Sequence, residues 1–264
     1  MAVLLPFRGD YYLWNYLPSV PGAVIFLLIF LTLAFLHTWK VWRTGCKFCI
    51  FFTIGCFFEF IGYCGRASAH GKTDKLMQFI IQNFFILVAP ALFAASIYMT
   101  LGRIVRSVRG EYHSVIRINW LTKIFVIGDV LSFMIQGGSS GLMFNSSIAK
   151  MGEMMVTIGL FVQIVSFGLF FITAGIFQLR MCKQPTTESY TTDAPWKESL
   201  VMLHVVSVLI FARPGGYALQ HEWTLYLFDS VPMAAVAGVF FWRYPSALTP
   251  ATACHEDIIL DGRK

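Results

Sequence analysis

The sequence predicts an all-α, polytopic integral membrane protein with seven transmembrane helices, and three observations predict it. The first is composition. Of 264 residues, 57% are hydrophobic and only 13% are charged, about half the charge of a soluble domain. The second is pattern: seven apolar runs follow one another with short polar breaks. The third is the placement of tryptophan. All seven (Trp14, Trp39, Trp42, Trp120, Trp196, Trp223 and Trp242) lie at or beyond run ends, where an interfacial aromatic belt puts them. With a mean hydropathy of +0.67 and 26 Phe, ordinary soluble domains are excluded. A span takes about 20 residues, so eight to ten are the ceiling.

The runs cover residues 21–39, 48–63, 77–101, 120–144, 154–179, 200–212 and 224–242. They are apolar on every side, as helices in lipid or in a bundle must be, because a helix satisfies its own backbone there. The sixth is the weak one. Its 13 residues rise only about 20 Å, against a hydrocarbon core of about 30 Å. It spans with help from its flanks, or it re-enters on a turn at Arg213-Pro214-Gly215-Gly216. Pro90 predicts a kink in the third helix. Gly137-Gly138-Ser139-Ser140-Gly141 predicts either close helix contact or unwinding of the fourth helix.

Orientation follows from Lys and Arg. With the N-terminus outside, the inner loops and tail hold 13 basic residues and the outer segments 6, which favours N-out and C-in. Residues 1–20 are then an extracellular N-terminus, 21–242 the membrane domain and 243–264 a disordered cytoplasmic tail. No cleavable signal peptide is expected, because the first run is too long and follows Arg8 and Asp10. The sequon Asn145-Ser146-Ser147 falls in an outer loop, where glycosylation is allowed. The six cysteines form neither a disulfide framework nor a zinc spacing. Cys46 and Cys49 read as structural, and Cys182 is a juxtamembrane candidate for acylation. The basic third inner loop, with Arg103, Arg106, Arg109 and Arg117, reads as an ordinary positive-inside loop.

The chemistry lies in the polar residues inside the runs. An ionisable group within a span costs about 2.5–3.5 kcal/mol on insertion scales and needs a partner or a wet cavity. Glu59, Asp129 and Asp229 are such groups, joined by Gln82, Asn83, Gln136 and Gln163. In the N-out topology they fall at similar depths, mostly in the outer half, as a shared polar chamber would require. Glu59 and Arg66 are seven apart and share a helix face. Arg66 is therefore placed to neutralise Glu59 or a carboxylate on another helix. The site expectation is a substrate- or proton-binding chamber of Glu59, Arg66, Asn83, Asp129, Gln136, Gln163, Glu222 and Asp229. The competing reading is a hydrogen-bond network that orders the bundle. There is no P-loop, no HExxH and no G-x-S-x-G. No enzyme activity, metal, cofactor or nucleic-acid partner is expected.

These same polar positions resemble a known family. Glu59-Phe60-Ile61-Gly62-Tyr63-Cys64-Gly65-Arg66 resembles the E-x-x-G-Y-x-x-R of the fungal RTA-like, or lipid-translocating exporter, family. Ala89-Pro90-Ala91 with Ala94-Ala95-Ser96-Ile97-Tyr98-Met99 resembles its third helix. Gly128-Asp129-Val130-Leu131-Ser132 with Gln136-Gly137-Gly138 resembles its fourth. Gly159-Leu160 with Gln163 is similar to the fifth, and Glu222, Tyr226, Asp229 and Pro232-Met233 to the seventh. Tyr16-x-Pro18-Ser19 resembles the approach to the first helix. The resemblance runs from about residue 16 to 243. One departure stands out: Phe211-Ala212-Arg213-Pro214-Gly215-Gly216 skips an R-x-x-x-R-x-x-E-like segment, as though about a dozen residues were missing.

The resemblance implies transport or flipping of amphipathic lipids of the sphingoid-base type, or resistance to toxic amphiphiles. Membrane lipids or amphipathic small molecules are the partners it implies, in the plasma membrane or an endomembrane. The rival readings are a seven-helix sensor or receptor, and a truncated, inactive paralogue.

Overall fold

The structure, a computed structural model, describes residues 14, 16–71, 73, 75–142, 149–191, 196–211 and 222–244. Among the described residues every regular element is helical. The helices are α1 (Val20–Thr44), α2 (Ile50–Ala69), α3 (Leu76–Ser107), α4 (Ile118–Leu142) and α5 (Ala149–Lys183). A single turn, α6 (Glu188–Thr191), precedes α7 (Trp196–Phe211). The last membrane helix is continuous but composite. It runs from α8 (Glu222–Leu225) through a π-helical turn (Tyr226–Ser230) into α9 (Val231–Trp242).

Six stretches are long and apolar enough to cross a bilayer: Val20–Thr44, Ile50–Ala69, Leu76–Ser107, Trp120–Gly138, Met154–Lys183 and Glu222–Trp242. The protein is an integral membrane protein of all-α class. Its helices extend past the apolar runs because their ends leave the hydrocarbon. α1, α3 and α5 each carry basic residues in the last turn, which also suits the negative end of the helix dipole.

α7 is described over Trp196–Phe211 and is flanked on both sides by residues outside the described set. The Trp196 indole is buried and its N–H donates to the Ser189 carbonyl at 3.1 Å. The expected turn at Arg213–Gly216, Asn145 and most of both terminal segments lie outside the described residues.

Local chemistry sets several boundaries. α1 opens with Pro21 in its first turn and closes at Gly45. Gly45 takes a left-handed φ of 65° and donates its N–H to Val41, the conformation glycine reaches without strain. The π turn has an equally local cause. Pro232 has no N–H to give the Phe228 carbonyl. The ladder shifts instead, and Val231 N–H bonds the Tyr226 carbonyl five residues back.

Packing depends on missing side chains. α2 and α3 form the most extensive pair, and α2 meets α3 along Gly55, Gly62 and Gly65. A Cβ at these positions would lie 2.7 Å from the Phe93 ring, 2.6 Å from Ile86 Cγ1 and 2.9 Å from Ile81 Cγ2. α4 and α5 mesh the same way. A Cβ at Gly128 would lie 2.6 Å from Ser166 Oγ, and one at Gly159 would lie 2.6 Å from Gln136 Cγ. Small residues let backbones approach where lipid offers no hydrophobic drive for association.

Gly137 and Gly138 correct an expectation. α4 stays helical to Leu142, and among the described residues no atom lies within 4 Å of a Cβ at either position. The helix does not unwind at these two glycines, and they hold no described neighbour close, because they face outward. α3 is a single helix across Pro90.

Aromatic rings fill the centre. Phe52 stacks between Phe93 at 4.5 Å and Phe240 at 4.2 Å, tying α2 to α3 and α9. Tyr98 sits among Phe125, Phe167 and Phe170 from α4 and α5. Tryptophan divides in two. Trp39, Trp42, Trp120, Trp223 and Trp242 are exposed as a belt requires, whereas Trp14 and Trp196 are buried in protein.

One end of the bundle is basic and pinned by its own contacts. Lys40 donates to the Phe241 carbonyl at 2.5 Å. His37 shares a hydrogen bond with the Ala237 carbonyl. Arg103 lies 4.1 Å over the Phe48 ring, and Arg243 pairs with Glu198.

Gly62→Val is expected to lower the melting temperature of the detergent-solubilised protein, by the equivalent of about 1–3 kcal/mol of overpacking. Gly138→Ala, with open space around it, is expected to be neutral. Fluorescence-detected thermal unfolding of the two variants beside the parent checks both.

Candidate functional site

The intramembrane polar residues assemble into two networks, and they are built differently. The first lies toward the end opposite the basic one and joins α2, α3, α8 and the segment before α1. Its centre is Arg66, which is wholly buried. The Arg66 guanidinium donates to Glu222 Oε1 at 2.8 Å, Tyr226 Oη at 3.0 Å, Gln82 Oε1 at 3.2 Å and Tyr16 Oη at 3.4 Å. Glu222 Oε1 also accepts the Ser19 backbone N–H at 2.7 Å and the Tyr226 hydroxyl at 3.3 Å. Arg66 thus takes its carboxylate from another helix rather than from Glu59. His70 adds a tie to the same region through the Pro18 carbonyl, at 2.6 Å.

Below Arg66 the network continues through Tyr63. This ring is fully buried and stacks against Phe26 and Phe30 of α1, at 5.8 Å and 5.7 Å. Its hydroxyl bonds Ser230 on the π turn. Glu59 stands one turn before Tyr63 on α2, and Asp229 is next to Ser230 on the π turn. The wide turn of the last helix therefore presents Asp229 and Ser230 to the α2 tyrosine. Gly22 makes room for this: a Cβ there would lie 2.8 Å from Cζ of Tyr226. π turns recur at functional sites because they re-aim side chains.

The second network joins α3, α4 and α5. Tyr98 of α3 donates its hydroxyl to Asp129 Oδ2 at 2.8 Å. One turn on, Ser132 Oγ donates to the Gly159 carbonyl at 2.5 Å, and Gln136 Nε2 donates to Ser132 Oγ at 2.8 Å and Gln163 Oε1 at 3.3 Å. Asp129 is 4% exposed, yet its Oδ1 has no hydrogen-bond partner among the described residues. It lines a cleft with Pro90 and Ala94 of α3, Leu160, Gln163, Ile164 and Phe167 of α5, and Ile210 of α7. The cavity there is about 40 Å³. That admits an ammonium group or a pair of waters, since one water occupies about 10–15 Å³ on this measure.

The eight expected site residues therefore divide. Glu59, Arg66, Glu222 and Asp229 belong to the first network, and Asp129, Gln136 and Gln163 to the second. Asn83, half-buried on α3, enters neither among the described residues. No set of His, Cys, Asp and Glu placed to hold a metal occurs among the described residues. The tyrosines were missed. Tyr63 carried a usable signal, since it stands four residues after Glu59 and three before Arg66 on one helix face. Tyr98 carried none, because its partner is on another helix.

Comparison with known proteins gives the family context. The family described as "RTA1 like protein" matches residues 52–252. "Protein RTA1" of Saccharomyces cerevisiae is 38% identical over 219 residues, which cover 79% of this chain and 68% of that protein. "Protoporphyrin uptake protein 1" of the same yeast is 36% identical over 212 residues, 76% of this chain and 69% of the relative. "Sphingoid long-chain base transporter RSB1" is more distant, at 20% identity over 230 residues, 84% of this chain and 60% of the relative. No solved structure matches.

Breaking a buried ion pair leaves the surviving charge uncompensated. Glu222 keeps some exposure, at 22% of its side chain, so Arg66→Leu is expected to cost about 2–3 kcal/mol, at or below the low end for a buried pair. Adding Glu222→Gln in the same chain recovers part of the loss. A double-mutant cycle by thermal unfolding measures the coupling.

Proposed function

Starting from the premise that this chain belongs to the RTA1-like family, we propose that it moves cationic amphipathic lipids of the sphingoid-base type between membrane leaflets. The Asp129 cleft holds the ammonium headgroup. Asp129 supplies one carboxylate oxygen already oriented by Tyr98 and a second that is available to a donor. That buried, half-satisfied carboxylate is the observation that carries the reading. Gln163, on the same cleft, offers a polar neighbour for a headgroup hydroxyl.

The cavity is far too small for an alkyl chain, so the chain stays in lipid. Ile164, which lines the cleft, is also 39% exposed on the flank of α5. The headgroup enters from the side and the tail travels outside the bundle. This arrangement needs no hydrophobic tunnel. It also needs no nucleotide, in keeping with the missing P-loop. A concentration difference or an ion gradient supplies the direction. Substrate recognition here is by charge and shape, without covalent chemistry, so the protein acts as a transporter rather than an enzyme.

Support from relatives is consistent with this. One is named for transport of sphingoid long-chain bases and another for protoporphyrin uptake, both amphipathic cargoes. In this reading the first network is the scaffold and the second the binding site. The N-terminus faces outward, as the lysine and arginine bias has it.

The test is reconstitution in liposomes with a fluorescent sphingoid base and measurement of its movement between leaflets. The parent accelerates movement over protein-free vesicles. Asp129→Asn, which keeps the shape and the Tyr98 hydrogen bond but loses the charge, lowers the rate at least about tenfold, the worth of one charge-assisted contact. Saturable binding without movement would favour the sensor reading. Full activity in Asp129→Asn of normal yield and elution would remove the carboxylate from the mechanism.

A further inference from the structure

A second cavity lies at the basic end of the bundle, away from both networks. It has a volume of about 530 Å³ and is lined by Tyr112, His113, Arg180, Lys183 and Gln184. No carboxylate is among its lining residues. The cavity is part of the fold rather than a gap between loose loops. α3 ends at Ser107, and Arg109 then takes a positive φ of 44°, a conformation non-glycine residues adopt only when held there. Gly110 follows, and a Cβ on it would lie 3.0 Å from the Phe177 ring. The missing side chain lets the 3₁₀ turn Glu111–His113 lie against α5. Arg180 closes the arrangement by donating to the His113 carbonyl at 3.3 Å. On the other flank, Thr186 donates to the Val108 carbonyl at 2.7 Å.

Among the described residues no ion pair engages Arg180 or Lys183. Arg109 pairs with Glu188 at 3.4 Å and is not among the residues lining the cleft. Arg180 spends one N–H on His113 and keeps the rest of its fork, a shape that matches phosphate oxygens. Lys183 is exposed, and no ion pair holds it among the described residues. Gln184 adds an amide donor, and the Tyr112 ring is 91% exposed beside them. The C-terminal carbonyls of α5 disfavour an anion by their partial charge, and two full positive charges outweigh that.

We propose that this cleft binds a phosphate group, carried by an anionic lipid headgroup at the membrane surface. Arg180 and Lys183 provide the charge, and Gln184 and Tyr112 add hydrogen bonds to the phosphate or its ester. The position supports a lipid source. The cleft opens where α5 leaves the hydrocarbon, at the end that the lysine and arginine bias assigns to the cytoplasmic leaflet, where anionic lipids concentrate. Basic pockets between membrane helices hold such headgroups. The volume exceeds that of a bare phosphate and leaves room for the ester. The proposal is independent of the transport reading, since it shares no residue with the Asp129 cleft.

The test is native mass spectrometry of the full chain, purified with equal phosphatidic acid and phosphatidylcholine. The parent is expected to retain phosphatidic acid in preference. Arg180→Gln with Lys183→Gln, both exposed and outside the packed core, is expected to lower that preference about thirtyfold, two interfacial charges at about 1 kcal/mol each. A charge-matched control, Lys123→Gln with Lys197→Gln, removes two basic residues of the same end away from the cleft and keeps the preference. Equal loss in both double variants would mean a general surface effect and overturns the site. Unchanged preference in the Arg180 and Lys183 variant overturns it as well. A final arm adds inorganic phosphate against chloride at matched ionic strength. Displacement of the lipid by phosphate alone would identify the free anion as the ligand and overturn the lipid source.

Discussion

A guanidinium that can never discharge is buried without any exposure in the half of the bundle away from its basic end, and the arrangement of the first, second and last helices follows from that. Arg66 cannot shed its proton to escape a low dielectric, so it must be surrounded. Glu222, Tyr226, Gln82 and Tyr16 surround it, and they come from three separate segments of the chain: the last helix, α3 and the stretch before α1. Each of those segments is thereby fixed in rotation and in height. Tyr226, held by Arg66, stacks on Phe26 at 5.3 Å, and Phe26 stacks on Tyr63. The Ser19 N–H, held by Glu222, sets where α1 begins. A single charge thus positions the aromatic ladder that carries Tyr63 to Ser230.

The two polar networks are built around different groups, a guanidinium in one and a carboxylate in the other. Around Arg66, donors and acceptors from three other segments converge on one cation, and the rings of Phe26, Phe30, Tyr63 and Tyr226 pack beside them. Such a network orders a bundle. Around Asp129, Tyr98 serves one carboxylate oxygen, and the other has no hydrogen-bond partner among the described residues. Between α2 and α3 run Gly55, Gly62 and Gly65, three positions without Cβ that bring those two backbones close.

Much of the fold could be read from the residues, and the limits have physical causes. Apolar runs located all six stretches that are long and apolar enough to cross a bilayer among the described residues, because lipid demands apolarity on all sides over about 20 residues. They underestimated helix length, because a helix continues into the interface on side chains such as Arg103, Arg180 and Lys183 that are polar at the tip. Burial of Trp14 and Trp196 was not visible, since an indole at a run end looks the same whether lipid or protein covers it. At the site, residue types and depth selected three carboxylates that the fold buries, Glu59, Asp129 and Asp229. The partner of Arg66 lay 156 positions away, and only packing chooses between Glu59 and Glu222. Tyr98 and Ser230 were illegible for the same reason. Gly137 and Gly138 misled because glycine signals close approach only when a neighbour is there to approach.

Pro232 has an effect on the last helix larger than its own hydrogen bond. A helix advances about 100° per residue, and the wide turn over Tyr226–Ser230 absorbs one residue more than an α turn would. The two halves of that helix are therefore out of phase with each other by roughly the same angle. Glu222 and Tyr226, before the shift, point at Arg66. Met233, Val236, Ala237 and Phe240, after it, line the packed centre beside Phe52. In an unbroken α-helix those two sets would fall on a single face, and the extra residue of the wide turn swings them about 100° apart. The dislocation lets one helix keep two appointments, with a charge at one end and an aromatic core at the other.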